Sequence, residues 1–222
     1  MKSNIFFYIL FFGCSVLFAQ IGGESTYQFL NLETSAKNAA LGGKLVSDIQ
    51  SDPIAGLFNP AAINAKMDKN YSLNYVNYLA DISYGSAAAA FQIKDTQKVL
   101  HFGVIYADYG TFDGFDLSGN PTGDFKASET AISVGYATPI PHSNFRFGGN
   151  IKVISSKLEQ YTSFGIAGDL GLIYNNENRK LTVGLTVRNI GAQITTFAEM
   201  NESLPLEINL GISKTLEKAP LQ

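Results

Sequence analysis

The 222-residue chain carries a net charge of −3, and only 16% of its residues are charged, against about 25% in soluble domains. With no basic excess to neutralise phosphate, nucleic acid is excluded as a partner. Phenylalanine and tyrosine are plentiful at 16 and 11 residues, glycine reaches 21, and tryptophan is absent.

The chain opens on Met-Lys-Ser-Asn, followed by apolar runs at 5–12 and 16–18 and then Ala19-Gln20. A basic start, an apolar stretch and a small residue predict a secretory leader over residues 1–19, cut after Ala19. The run is interrupted and too short to serve as a membrane anchor. Cys14 could instead be a lipoprotein attachment site, but Phe11-Phe12-Gly13 is a poor lead-in for one, and the cut is preferred. It leaves a mature chain without cysteine, and so without disulfide chemistry.

Residues 20–70 alternate poorly and are rich in small residues. The run Ser35–Leu41 predicts a short helix stopped by Gly42 and Gly43. Asp52-Pro53 predicts the start of another, which runs through Ile54–Phe58 and ends at Asn59-Pro60. We expect this segment to plug the structure formed by the rest rather than to stand as a separate domain.

Residues 71–222 read as strands, at about 71–79, 83–94, 98–109, 127–138, 145–155, 163–175, 179–190 and 205–214. The clearest is 164–174. Phe164, Ile166, Leu170, Leu172 and Tyr174 share one parity, opposed by Gly165, Ala167, Asp169 and Gly171, with Gly168 and Ile173 as exceptions. Neighbouring strands repeat the split of large apolar against small or polar. That pattern predicts an all-β, antiparallel transmembrane β-barrel, with lipid on one side and a crowded interior on the other. Connections 94–98, 139–144 and 175–180 look short. Those at 110–126, 156–162 and 191–204 look long, as periplasmic turns and outer loops should, with 80–82 the exception. Aromatics near strand ends (Tyr109, Tyr136, Phe145, Phe164, Tyr174) suit interfacial girdles. A secretory leader, no helical span and amphipathic strands together point to the outer membrane of a Gram-negative cell.

An eight-stranded barrel has room only for its own side chains, not for a segment of roughly fifty residues. No closing strand follows Glu217–Gln222. We therefore expect a barrel larger than the eight strands here, in a chain truncated at its C-terminal end.

Two pieces carry a family resemblance. Phe29-Leu30-Asn31-Leu32 with Ser35–Gly43 resembles the N-terminal signature of the long-chain fatty-acid transporter (FadL-like) superfamily and its PorV and PorQ relatives. Ala55–Ala62 is similar to that superfamily's Asn-Pro-Ala segment, and Gly22–Leu30 looks most like the PorQ-type family of type IX secretion in Bacteroidetes. The resemblance implies a barrel of about fourteen strands, or roughly 335 residues at about nineteen per strand. It implies an N-terminal hatch carrying Gly42, Gly43, Asn59, Pro60 and Ala61. It further implies a non-enzymatic anchor in the outer-membrane lipid and lipopolysaccharide layer, seating PorZ alongside PorU and PorV. The alternative within the superfamily is a transporter of hydrophobic small molecules.

Chemistry is sparse. His101 and His142 have no local partners, and there is no nucleophile elbow, HExxH or phosphate loop. No catalytic, metal or cofactor residue is assigned, and a lipid-modifying enzyme lacks a constellation. Asn201-Glu202-Ser203 matches a glycosylation sequon by chance. The loop around Phe112, Asp113, Phe115, Asp116 and Asp124 holds close-spaced carboxylates, but it lacks the terminal Glu of a calcium loop. Turn chemistry explains its acids better, and Phe112 and Phe115 would anchor a partner. Arg146, Lys152, Asp169, Arg188 and Glu207 share the inner parity. They either line a solute path or pair with one another and with the plug, and the second is favoured because inward charges need neutralising partners.

Overall fold

The computed structural model describes residues 25–197 and 201–215; the expected leader, Gly22–Glu24 and the tail from 216 lie outside them. Eight strands form one antiparallel sheet in simple chain order. They are β1 (Asn70–Asn77), β2 (Ser83–Gln92), β3 (Val99–Phe115), β4 (Pro121–Pro139), β5 (Phe145–Leu158), β6 (Tyr161–Asn176), β7 (Leu181–Thr195) and β8 (Glu207–Lys214). Among the described residues β1 and β8 do not pair with each other, so the sheet is open. No described helix is long and apolar enough to cross a membrane, which is a statement about helices alone.

Period-two alternation sorts the side chains onto two faces. On β6, Gly165, Ala167, Asp169, Gly171 and Ile173 are buried, while Phe164, Ile166 and Leu170 are exposed. The two exceptions in the sequence pattern have distinct places. Ile173 is buried in a cluster with Ala55, Ala61, Ile63 and Met67, whereas Gly168 lies on the exposed parity. On β5 the exposed set is Phe145, Phe147, Ile151 and Val153. The bare apolar surface runs on through Ile132 and Val134 of β4 and Ile208, Leu210 and Ile212 of β8. A soluble monomer seldom shows an apolar patch beyond a few hundred Å².

Residues 25–69 cover the other face. After the uncapped 3₁₀ helix Gln28–Asn31, the helical turns are started by side chains: Ser35 accepts from the Asn38 amide before helix Ala36–Ala40, and Gly42 and Gly43 follow it at φ +94° and +86°. Asp52, Asn59 and Asn64 then cap the 3₁₀ helices Pro53–Leu57, Pro60–Ala62 and Ala65–Met67, each accepting from the amide two residues on. The helix Pro53–Leu57, about 10 Å long, lies beside β1, β2 and β3. Asn150 of β5 also reaches its Gly56 carbonyl, at 2.8 Å. On a flat sheet β1 and β5 would stand about 19 Å apart. The sheet is therefore curled around the segment.

The expected boundaries need correction at one end of the sheet. The region 110–126 is not a loop but the far end of the β3–β4 hairpin, with a turn only at 116–120. Phe112 and Phe125 pair across it with their rings stacked at 5.2 Å, which extends the ladder past a bulge at Tyr109-Gly110. The expected loop 156–162 is a two-residue turn, because Leu158 pairs with Tyr161. β7 continues to Thr195, which shortens the third connection to 196–206. The asymmetry between the two ends thus lies in one projecting ribbon and one connection, not in alternating loop lengths. Tyr109 also departs from the expected girdle: its hydroxyl donates to Glu129, at 2.5 Å, on the covered side.

Candidate functional site

Among the described residues, buried charged groups converge where the inner face of the sheet meets residues 25–69. The segment runs the height of the sheet. At one end Tyr27 Oη meets Ser163 Oγ at 2.6 Å, near the start of β6. At the other, Asp68 accepts from the Gln92 amide at 2.8 Å, and Arg146 at the start of β5 donates to the Ile63 carbonyl. Close approach is possible because the paired Gly148 and Gly171 leave a flat patch for Asn59-Pro60-Ala61. A methyl group on Gly148 would overlap the Pro60 carbonyl, and one on Gly171 would overlap Asn59 Oδ1. Gly148→Val is expected to lower stability by about 1–3 kcal/mol through overpacking, measured as an earlier denaturant midpoint. An unchanged midpoint would place the segment elsewhere.

Lys152, Asp169, Arg188 and Glu207 are brought together; Arg146 stands apart, spent on the carbonyls of Ala61 and Ile63. Lys152 is 3% exposed and its Nζ lies 2.8 Å from Asp169 Oδ1. The same ammonium donates to Asn189 Oδ1 at 2.5 Å. Arg188, 1% exposed, donates to Glu207 Oε2 at 2.9 Å and to the Leu30 carbonyl at 3.1 Å, with its guanidinium 5.6 Å above the Phe58 ring. Glu207 also pairs with Lys44 of the segment. Three cations therefore meet two carboxylates across the seam between segment and sheet.

Asn189 and Lys44 were not singled out from the sequence. Arg188 and Asn189 both point inward because β7 bulges there, with Asn189 at φ +60°. Asparagine tolerates that region better than most residues. The signal was present as two adjacent polar residues breaking an otherwise strict alternation. The Asn189 amide donates to Asp169 Oδ1 at 2.9 Å, so the bulge supplies a second donor to the buried carboxylate. His101 is buried as well, its Nε2 2.9 Å from the Pro53 carbonyl, while His142 sits in a turn at φ +57°.

The residues assigned to a partner loop lie on the β3–β4 ribbon. Asp113 and Asp124 face each other directly in the ladder, Phe112 and Phe115 are exposed, and Asp116 opens the terminal turn. Its carboxylate accepts from the Asn120 side chain and from the Ser118 and Asn120 amides, and these bonds, Asn120 first, hold its pKa below the usual carboxylate value. No group of three or more metal-ligating side chains occurs among the described residues.

No protein-family model matches the chain, and no curated protein matches it in sequence. The fold and the site define an all-β protein with one open antiparallel sheet curled around its own N-terminal segment.

Proposed function

We propose that the protein is an outer-membrane β-barrel that acts as a non-enzymatic anchor in type IX secretion, seating a PorZ-type protein beside PorU- and PorV-type partners. The observation that carries the membrane reading is the two-sided sheet: bare apolar side chains outside, small and paired polar ones inside. In this reading residues 25–69 are the hatch. Further strands, to about fourteen in all, close the barrel between β8 and β1. The free edges support that closure, since unpaired strand groups are not tolerated in lipid. So does the exposed side of the hatch helix, where Leu41 is 60% exposed beside Ala36, Ala39 and Ala40.

The packing of residues 25–69 against the inner face favours anchoring over transport. Two apolar hollows, of about 450 and 600 Å³, open on the outer face, at Leu73, Tyr75 and Tyr106 and at Ile151, Gly168 and Ile190. Affinity purification of the native protein tests the reading: a co-purifying PorZ-type protein is expected. A bound fatty acid without it would favour transport of hydrophobic molecules. Deleting 110–126 is expected to leave insertion intact and to weaken PorZ capture; unaltered capture would remove the ribbon from the contact.

A further inference from the structure

The end of the sheet that carries the β3–β4 ribbon also holds the connection between β7 and β8, whose described part at 201–206 folds inward. Ser203 forms a parallel bridge with Ser25, and the Thr26 amide donates to the Ser203 carbonyl at 3.0 Å. Leu204 is buried in the same cluster as Tyr27, Phe29, Leu30 and Phe58. The connection is fastened to the sheet at both sides. The Glu202 amide donates to Gln193 Oε1 at 2.8 Å, and Asn189 Nδ2 donates to the Pro205 carbonyl at 2.9 Å.

We propose that this connection is a clasp that holds the N-terminal segment in place permanently, so that the segment is a fixed seal and not a gate. The proposal rests on the reading that residues 25–69 fill the interior of an outer-membrane barrel. Sliding the segment out would break the bridge, pull Leu204 from its apolar cluster and strip the Leu30 carbonyl from Arg188. The first two contacts join Ser203 and Leu204 of the connection to the segment, and the third joins the segment to β7. A movable gate would need this end free.

The test locks and loosens the clasp in cells that make the full protein. Bridged neighbours on adjacent strands stand about 4.8 Å apart, within the disulfide range of about 4.4–6.8 Å. The sole cysteine of the sequence, Cys14, falls in the expected leader. The pair Ser25→Cys with Ser203→Cys, oxidised in the envelope, is expected to capture PorZ as the wild type does. It should also still exclude vancomycin, which an intact outer membrane keeps out. Leu204→Asp is expected to make cells sensitive to vancomycin. Should Leu204→Asp fail to fold, Gln193→Ala, which removes the bonds of that side chain to the Glu202 amide and to Ser163 Oγ, is expected to give a smaller rise in sensitivity.

Loss of capture in the oxidised pair, restored by reductant, would overturn the clasp, because it would show that the segment must move. So would full exclusion of vancomycin by both loosened variants. If the wild type itself captures no PorZ, the secretion reading fails, while the vancomycin arm still tests the seal.

Discussion

Arginine in place of Leu170 is expected to keep the protein out of the membrane. Leu170 sits on the outer face of β6, 48% exposed, with Gly149 and Val187 as its partners in the ladder. A cation at mid-depth on a lipid-facing strand costs about 2–4 kcal/mol, and assembly adds the burden of carrying it across. The variant should lose the heat-modifiable band and become protease-sensitive. The control is Asp113→Arg, on the ribbon past the last residues that β2 and β5 pair with, which should assemble normally. Normal assembly of Leu170→Arg would mean that this face meets protein or water, and the barrel reading would go with it.

The second large effect is expected at Asp169. Asp169→Leu leaves the interior Lys152 with Asn189 Oδ1 as its acceptor among the described residues, and removes the acceptor of the Asn189 backbone amide. Breaking a buried ion pair from one side costs about 3–5 kcal/mol, whereas replacing both partners with apolar groups is often near neutral. The variant should unfold at clearly lower denaturant in detergent. The double variant Asp169→Leu with Lys152→Met should regain most of the loss. Equal midpoints for single and double variants would show that Lys152 reaches water.

The faces of the strands were legible because alternation is local: the parity of Ile166 is fixed by its neighbours Gly165 and Ala167, whatever lies across the sheet. The cap at Asp52 was legible for the same reason, whereas Ser35, read as part of its helix, and Asn59, read as a helix end, both prove to be caps. What was not legible depends on partners far away in sequence. Whether 110–126 is loop or ribbon turns on Phe112 meeting Phe125, and the two-residue turn at Glu159-Gln160 turns on Leu158 meeting Tyr161. The site was half legible. The inward parity picked out Lys152, Asp169, Arg188 and Glu207, but Lys44 joins them only through the path of the segment, and Asn189 only through a bulge that shifts the count by one.

The self-capped turns between Asp52 and Met67 have a consequence for assembly. Each is held by a hydrogen bond spanning two residues, so closing it takes almost no chain entropy. A stretch of this kind adopts its shape early and alone, while strand pairs separated by dozens of residues form late. Lying ahead of every strand in the chain, it is the mandrel against which the later hairpins take their curl, so the curvature of the sheet is set by the segment it wraps.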